Sequence, residues 1–90
     1  MTEEEAIQQV YARGMAAEHV LKDPALAQVV TELENQYIRD WMTSDPAHVK
    51  TRETAYHKSL ALREIVGELQ SWVVTRDQLK AELGDDAELN

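Results

Sequence analysis

The stretch from Leu62 to Leu83, LREIVGELQSWVVTRDQLKAEL, decides the fold. Within it Leu62, Ile65, Leu69, Trp72, Arg76, Leu79 and Leu83 recur at alternating steps of three and four, and six of these seven positions are apolar. That is the heptad rhythm of a helix that packs along its length against another helix. Tyr56, Leu60, Val66 and Val73 form a second stripe beside the first, so the helix is apolar over a wide arc. Gly84 supplies the C-terminal stop, because glycine tolerates the backbone geometry in which helices end.

Upstream of this helix, two starts compete. Asp45 can cap with Pro46 at the first helical position, or Thr51 can cap a later start with residues 46–50 as a loop. His48 to Lys50 contain no breaker, which favours the earlier start and a helix over 46–83. Before it, Asp23 and Pro24 open a helix over about 24–43 by the same cap-and-proline logic. Leu26, Val30, Leu33, Tyr37 and Trp41 lie on one side of it, widened by Val29, Ile38 and Met42. It stops at Thr43-Ser44-Asp45-Pro46, since the residue before proline disfavours helical geometry. An N-terminal helix runs from about Thr2 to Lys22, with Thr2 and Glu5 at capping-box spacing and Glu3 to Glu5 at the positive end of the helix dipole. Its apolar residues are loosely periodic. Gly14 within it costs about 1 kcal/mol relative to alanine, so this helix is expected to be the least secure. No strand is readable: there is no Asn-Gly or Asp-Gly turn and no sustained period-two alternation. The expected fold is all-α, with a helical hairpin (24–43 and 46–83) and an N-terminal helix in a single domain over 1–84. Residues 85–90 are expected to form a disordered acidic tail.

Length sets the next expectation. A helix of more than thirty residues is about 45 Å long or more, and a twenty-residue partner is about 30 Å. The shorter helix leaves the end from Trp72 to Leu83 without cover. The N-terminal helix folding back, or a second copy of the chain, can supply it. On this argument Trp72, Val73, Arg76, Leu79 and Leu83 form the expected subunit interface, with Trp72 as its aromatic anchor. Arg76 either lays its stem along apolar surface or pairs with an acid across a helix interface and sets register. Gly67, in mid-helix, is either a point of close helix approach or simply tolerated.

Ninety residues carry a net charge of −8, unevenly distributed. Residues 1–47 carry −6, residues 48–63 carry +3 and residues 64–90 carry −5. The acidity disfavours general attraction to nucleic acid or anionic lipid. The basic window of Lys50, Arg52, Lys58 and Arg63 reads either as an ordinary solvated face or as a docking patch for an acidic partner. Chemistry is scarce. There is no cysteine, hence no thiol nucleophile, thiolate metal site or disulfide. His19, His48 and His57 include no pair at the spacing of three or four that shares a helix face as zinc ligands do. Glu53 and His57 are four apart, but one carboxylate and one imidazole do not make a metal site. Gly14, Gly67 and Gly84 are isolated, so no phosphate-binding loop exists, and no serine stands in a glycine-flanked elbow. These features predict a non-enzyme without cofactor or metal. Met1 leads into Thr2-Glu3-Glu4-Glu5 rather than a basic and then apolar run, so neither a signal peptide nor a membrane span is expected.

One segment resembles a known family. From Asn35 to Val74 the order is an acidic amphipathic helix ending in Trp41, a polar turn with a proline, Arg52-Glu53, an aromatic at Tyr56, and Leu60-Ala61-Leu62-Arg63 continuing to Leu69. This resembles short uncharacterised proteins of tailed bacteriophages and prophages, encoded among virion and DNA-packaging genes. Asp23-Pro24 through Leu33 is similar to their usual opening, so the resemblance spans about Leu21 to Val74. Where those proteins place Asp-Thr before the Arg-Glu, this chain has Lys50-Thr51. The resemblance implies a viral assembly or accessory role in the host cytoplasm or the virion, with a larger virion or packaging protein as partner, and carries no catalytic residues. The expected function is therefore a phage structural or interaction protein working as a helical homo-oligomer. The alternatives are an acidic, nucleic-acid-mimicking inhibitor of a host enzyme, and a weak nucleic-acid binder acting through the 48–63 window.

Overall fold

The computed structural model describes residues 1–84 and is all-α, with three helices: α1 (Glu3–Leu21), α2 (Pro24–Thr43) and α3 (Val49–Leu83). The tail over 85–90 lies outside the described residues. Each helix begins or ends on a chemical signal. The Glu5 amide donates to Thr2 Oγ1 at 3.1 Å, and the Ala25 amide donates to Asp23 Oδ1 at 2.8 Å ahead of the Pro24 turn. Both bonds satisfy an amide that has no carbonyl partner within its helix. At the end of α2, Thr43 Oγ1 donates to the Arg39 carbonyl at 2.7 Å and Ser44 Oγ to the Trp41 carbonyl at 2.8 Å. Gly84 closes α3 with φ of 71°, in the left-handed region that glycine adopts freely.

The start of α3 differs from the expected position at Pro46, and neither of the two competing starts is used. Asp45 accepts from the Ala47 amide at 2.8 Å through its side chain and from the His48 amide at 2.8 Å through its carbonyl. Asp45 thereby closes a separate turn. The helix starts afresh at Val49, with His48 as an N-cap that makes no side-chain hydrogen bond.

The architecture follows from helix length. At 1.5 Å per residue, α1 and α2 measure about 28 and 30 Å, and α3 about 52 Å. Both short helices pack on α3 and barely touch each other. Residues near the end of α2 face the start of α3, and α1 covers the segment around Trp72 and Arg76. The short helices thus follow one another along the long one. The body measures 60 × 26 × 19 Å, and 19 Å is about two helix diameters. Its radius of gyration is 18.6 Å, against roughly 12 Å for a compact domain of this length.

The seam of α3 that faces the other helices is Arg52, Ala55, Ser59, Leu62, Val66, Leu69, Val73 and Arg76, again at alternating steps of three and four, and none of these residues is exposed. It shares Leu62, Leu69 and Arg76 with the stripe read from hydrophobicity. Trp72 and Leu79 lie along its edge, half-buried, whereas Ile65 and Leu83 are exposed. On α1 the matching seam is Ile7, Val10, Gly14, Ala17 and Leu21. Small residues occupy its centre: Gly14 is buried and Ala17 is 1% exposed. α1 has a more extensive contact with α3 than α2 has. A Cβ on Gly14 would overlap the Cβ of Arg76 and lie 2.9 Å from its Cδ, so glycine is required by the closeness of the two helices. Gly67 has open space in the same respect. Within the chain, the point of close approach is Gly14.

Two stability outcomes follow. By helix propensity alone Gly14→Ala would be favourable by about 1 kcal/mol; the overlap with Arg76 reverses the sign, and urea denaturation should give a loss of about 1–3 kcal/mol. The Tyr11 hydroxyl is buried with no hydrogen-bond partner among the described residues. Tyr11→Phe should therefore raise stability, by about 1 kcal/mol, in the same measurement.

Candidate interaction surface

Two side-chain constellations bind the short helices to α3. On the α1 side, Arg76 enters the seam beside Gly14 with only 16% of its side chain exposed. Its Nη1 donates to Glu18 Oε2 at 3.1 Å, and its Nε and Nη2 donate to Asp77 Oδ1 at 3.0 and 2.9 Å. Lys22 adds a longer ion pair to the other Glu18 oxygen at 3.6 Å. The hydrogen bond from Arg76, and then its charge, hold the Glu18 carboxyl below the usual carboxylate range; the same bond raises Arg76. One turn away, the Arg13 guanidinium lies 4.0 Å from the centre of the Trp72 ring, whose Nε1 donates to Glu68 Oε1 at 3.0 Å. A cation over an indole face is attracted by the ring quadrupole. Of the five residues expected at a subunit interface, Trp72, Val73, Arg76 and Leu79 are half-buried and Leu83 is exposed. Trp72 and Arg76 lie under α1, covered from within the chain. Arg76 takes the second of its two anticipated roles, pairing with an acid across a helix interface.

On the α2 side, Arg52 lies over the Trp41 ring at 4.5 Å. It is thereby committed to the α2–α3 contact. Lys50 and Lys58 line a different, polar groove with Asp40, Thr43 and Ser44. Arg63 is exposed and, eleven residues from Arg52, shares its side of α3. The basic window is thus divided between two flanks of the helix and forms no continuous stripe for a phosphate backbone.

Apolar surface is abundant around these constellations. A shallow cleft between α2 and α3 is lined by Tyr37, Ile38, Trp41, Ala55, Tyr56 and Ser59. Ile38, Trp41, Met42, Val49, Tyr56, Ile65 and Val74 are all exposed. Among the described residues, no group of three or more His, Asp or Glu side chains could hold a metal ion, and no helix is long and apolar enough to cross a membrane.

Arg13, Gly14, Ala17 and Glu18 were not marked by the sequence as functional positions. The signal was present: Ile7, Val10, Gly14, Ala17 and Leu21 keep heptad spacing once glycine and alanine are admitted as seam residues.

The Glu18–Arg76 pair has a pH signature. A carboxyl depressed in the folded state contributes stability that is complete above its unfolded value and disappears as pH falls through the depressed one. Thermal melts should therefore lose stability on acidification below the usual carboxylate range, and Glu18→Gln should flatten that acid limb while lowering the melting temperature at neutral pH. In comparison with known proteins, no family model, no curated protein and no solved structure matches this chain.

Proposed function

We propose that this chain is a non-enzymatic interaction protein that completes its fold by association, as a helical homo-oligomer and as a docking element for a larger protein of phage assembly. The observation that carries the reading is the near absence of a core. Among the described residues only Gly14, Ala17 and Ala55 are buried, and no large side chain is fully enclosed. The accessible surface is 7056 Å², whereas a compact monomer of 10.3 kDa exposes about 5,400 Å². Hydrophobic burial is the main favourable term in folding. A chain with so little of it gains most from a surface that covers its exposed valine, isoleucine, tyrosine and tryptophan side chains. A standard interface removes about 800 Å² from each partner, which is less than the excess exposed here.

The setting in virion or packaging assembly is drawn from the resemblance over Leu21 to Val74. Its amphipathic α2, polar turn and aromatic-bearing α3 are also the elements that carry the exposed apolar residues, which is why an assembly role suits them.

The test is mass and stability measured together. Light scattering at micromolar concentration should return a multiple of 10.3 kDa, and the melting temperature should rise with protein concentration, because association stabilises by mass action. A monomer whose cooperative melt is independent of concentration would overturn this reading.

A further inference from the structure

We propose that the outer face of α3 is a self-association surface, on which two copies pack antiparallel about a two-fold axis at Gly67. This rests on the association reading above and assigns it a place and a geometry. About 120° around α3 from the mean direction of the inner seam, Val49, Tyr56, Leu60, Gly67 and Val74 fall within an arc of about 40° at 100° per residue. The stripe runs along much of α3, and its large members are open: Tyr56 is 57% and Val74 52% exposed. Tyr56 also lines the cleft shared with α2, whereas Leu60, Gly67 and Val74 lie outside the seam.

Charge selects the occupant and its direction. Leaving out Arg52 and Arg76, which lie in the inner seam, the charged residues within about 100° of the stripe are Lys50, Glu53 and Arg63 in the first half of α3, a net +1, and Glu64, Glu68, Asp77 and Glu82 in the second, a net −4. A second copy laid antiparallel sets each basic half against an acidic half, twice by symmetry. A parallel copy sets like against like along the whole contact, which is unfavourable. Gly67 stands one position from the midpoint of Val49–Leu83. Its cost to the helix is not explained by any neighbour in its own chain, because a Cβ there meets nothing within 4 Å. At a two-fold axis it lets two backbones approach. In that register Leu60 of one copy is level with Val74 of the other, and Lys50 lies within one helical turn of Glu82. The contact extends over about 50 Å of helix, enough length for a standard interface.

The described residues contain no cysteine, and neither does the remainder of the chain, so single engineered thiols report the geometry. With helix axes 8–10 Å apart and Cα atoms 2.3 Å from each axis, the two position-67 Cα atoms approach to about 3–5 Å, within reach of a disulfide. Under mild oxidation Gly67→Cys should cross-link to a covalent dimer. Leu60→Cys and Val74→Cys should each remain uncross-linked, and a mixture of the two should cross-link. Gly67→Gln, which replaces glycine with a better helix former, should leave the melt of the dilute chain unchanged or raised while weakening dimerisation about tenfold. An oligomer in which Gly67→Cys stays uncross-linked, or in which Leu60→Cys alone cross-links as readily as the mixture, overturns the antiparallel arrangement and leaves association standing. A folded monomer with a concentration-independent melt overturns both.

Discussion

Two helices lying side by side can each bury one face and no more, and the consequences of that limit run through this molecule. Because α1 and α2 follow one another along α3 rather than flanking it together, almost every cross-section holds two helices. A third helix at the same level would enclose a core between three faces. Here the seam residues are pinched between two cylinders and remain half open, so among the described residues the deeply buried positions are small ones, Gly14, Ala17 and Ala55. The elongated shape and the exposed aromatic residues both derive from this arrangement.

Within such a thin body, specificity comes from steric fit and from charge placed at the seam. Gly14 allows α1 to come close enough for the stem of Arg76 to lie against its backbone. The guanidinium then emerges beside Glu18 and Asp77, which satisfy it, so the stem is packed without stranding the charge. Arg13 over Trp72 and Arg52 over Trp41 repeat the theme at two other levels. Each short helix is thus registered on α3 by one arginine–tryptophan contact, and α1 has an ion pair in addition. These interactions are individually modest. Their role is to select one sliding position among several that heptad spacing would allow.

The division of labour along α3 follows. Its inner seam is occupied by its own chain, and its outer stripe is not. The long helix therefore has one side packed by its own chain and an apolar stripe left exposed. The basic and acidic halves of that helix, which read as an uneven charge distribution in one dimension, lie toward opposite ends of a rod.

Much of this is legible in the sequence. The helix boundaries at Thr2, Asp23-Pro24, Ser44 and Gly84 depend on caps, on proline and on glycine, all of which act over a few residues and are written in the local sequence. The amphipathic side of α2 from Leu26 to Trp41 was readable for the same reason. The beginning of α3 was not, because Asp45 has two hydrogen-bonding roles and the choice between capping a helix and closing a separate turn depends on where the chain must go next. The seam itself was only half legible. Hydrophobicity marks Ile65 and Leu83, which are exposed, and passes over Gly14, Ala17, Ala55 and Ser59, which lie in the contacts. Small residues carry little hydrophobic signal, and their value depends on the shape of whatever lies opposite. Local sequence by itself therefore determined three helices and the lengths of the first two. That Gly14 rather than Gly67 meets Arg76, and which face of α3 is left open, was decided by fit between residues about sixty positions apart, which exists only once the helices are packed.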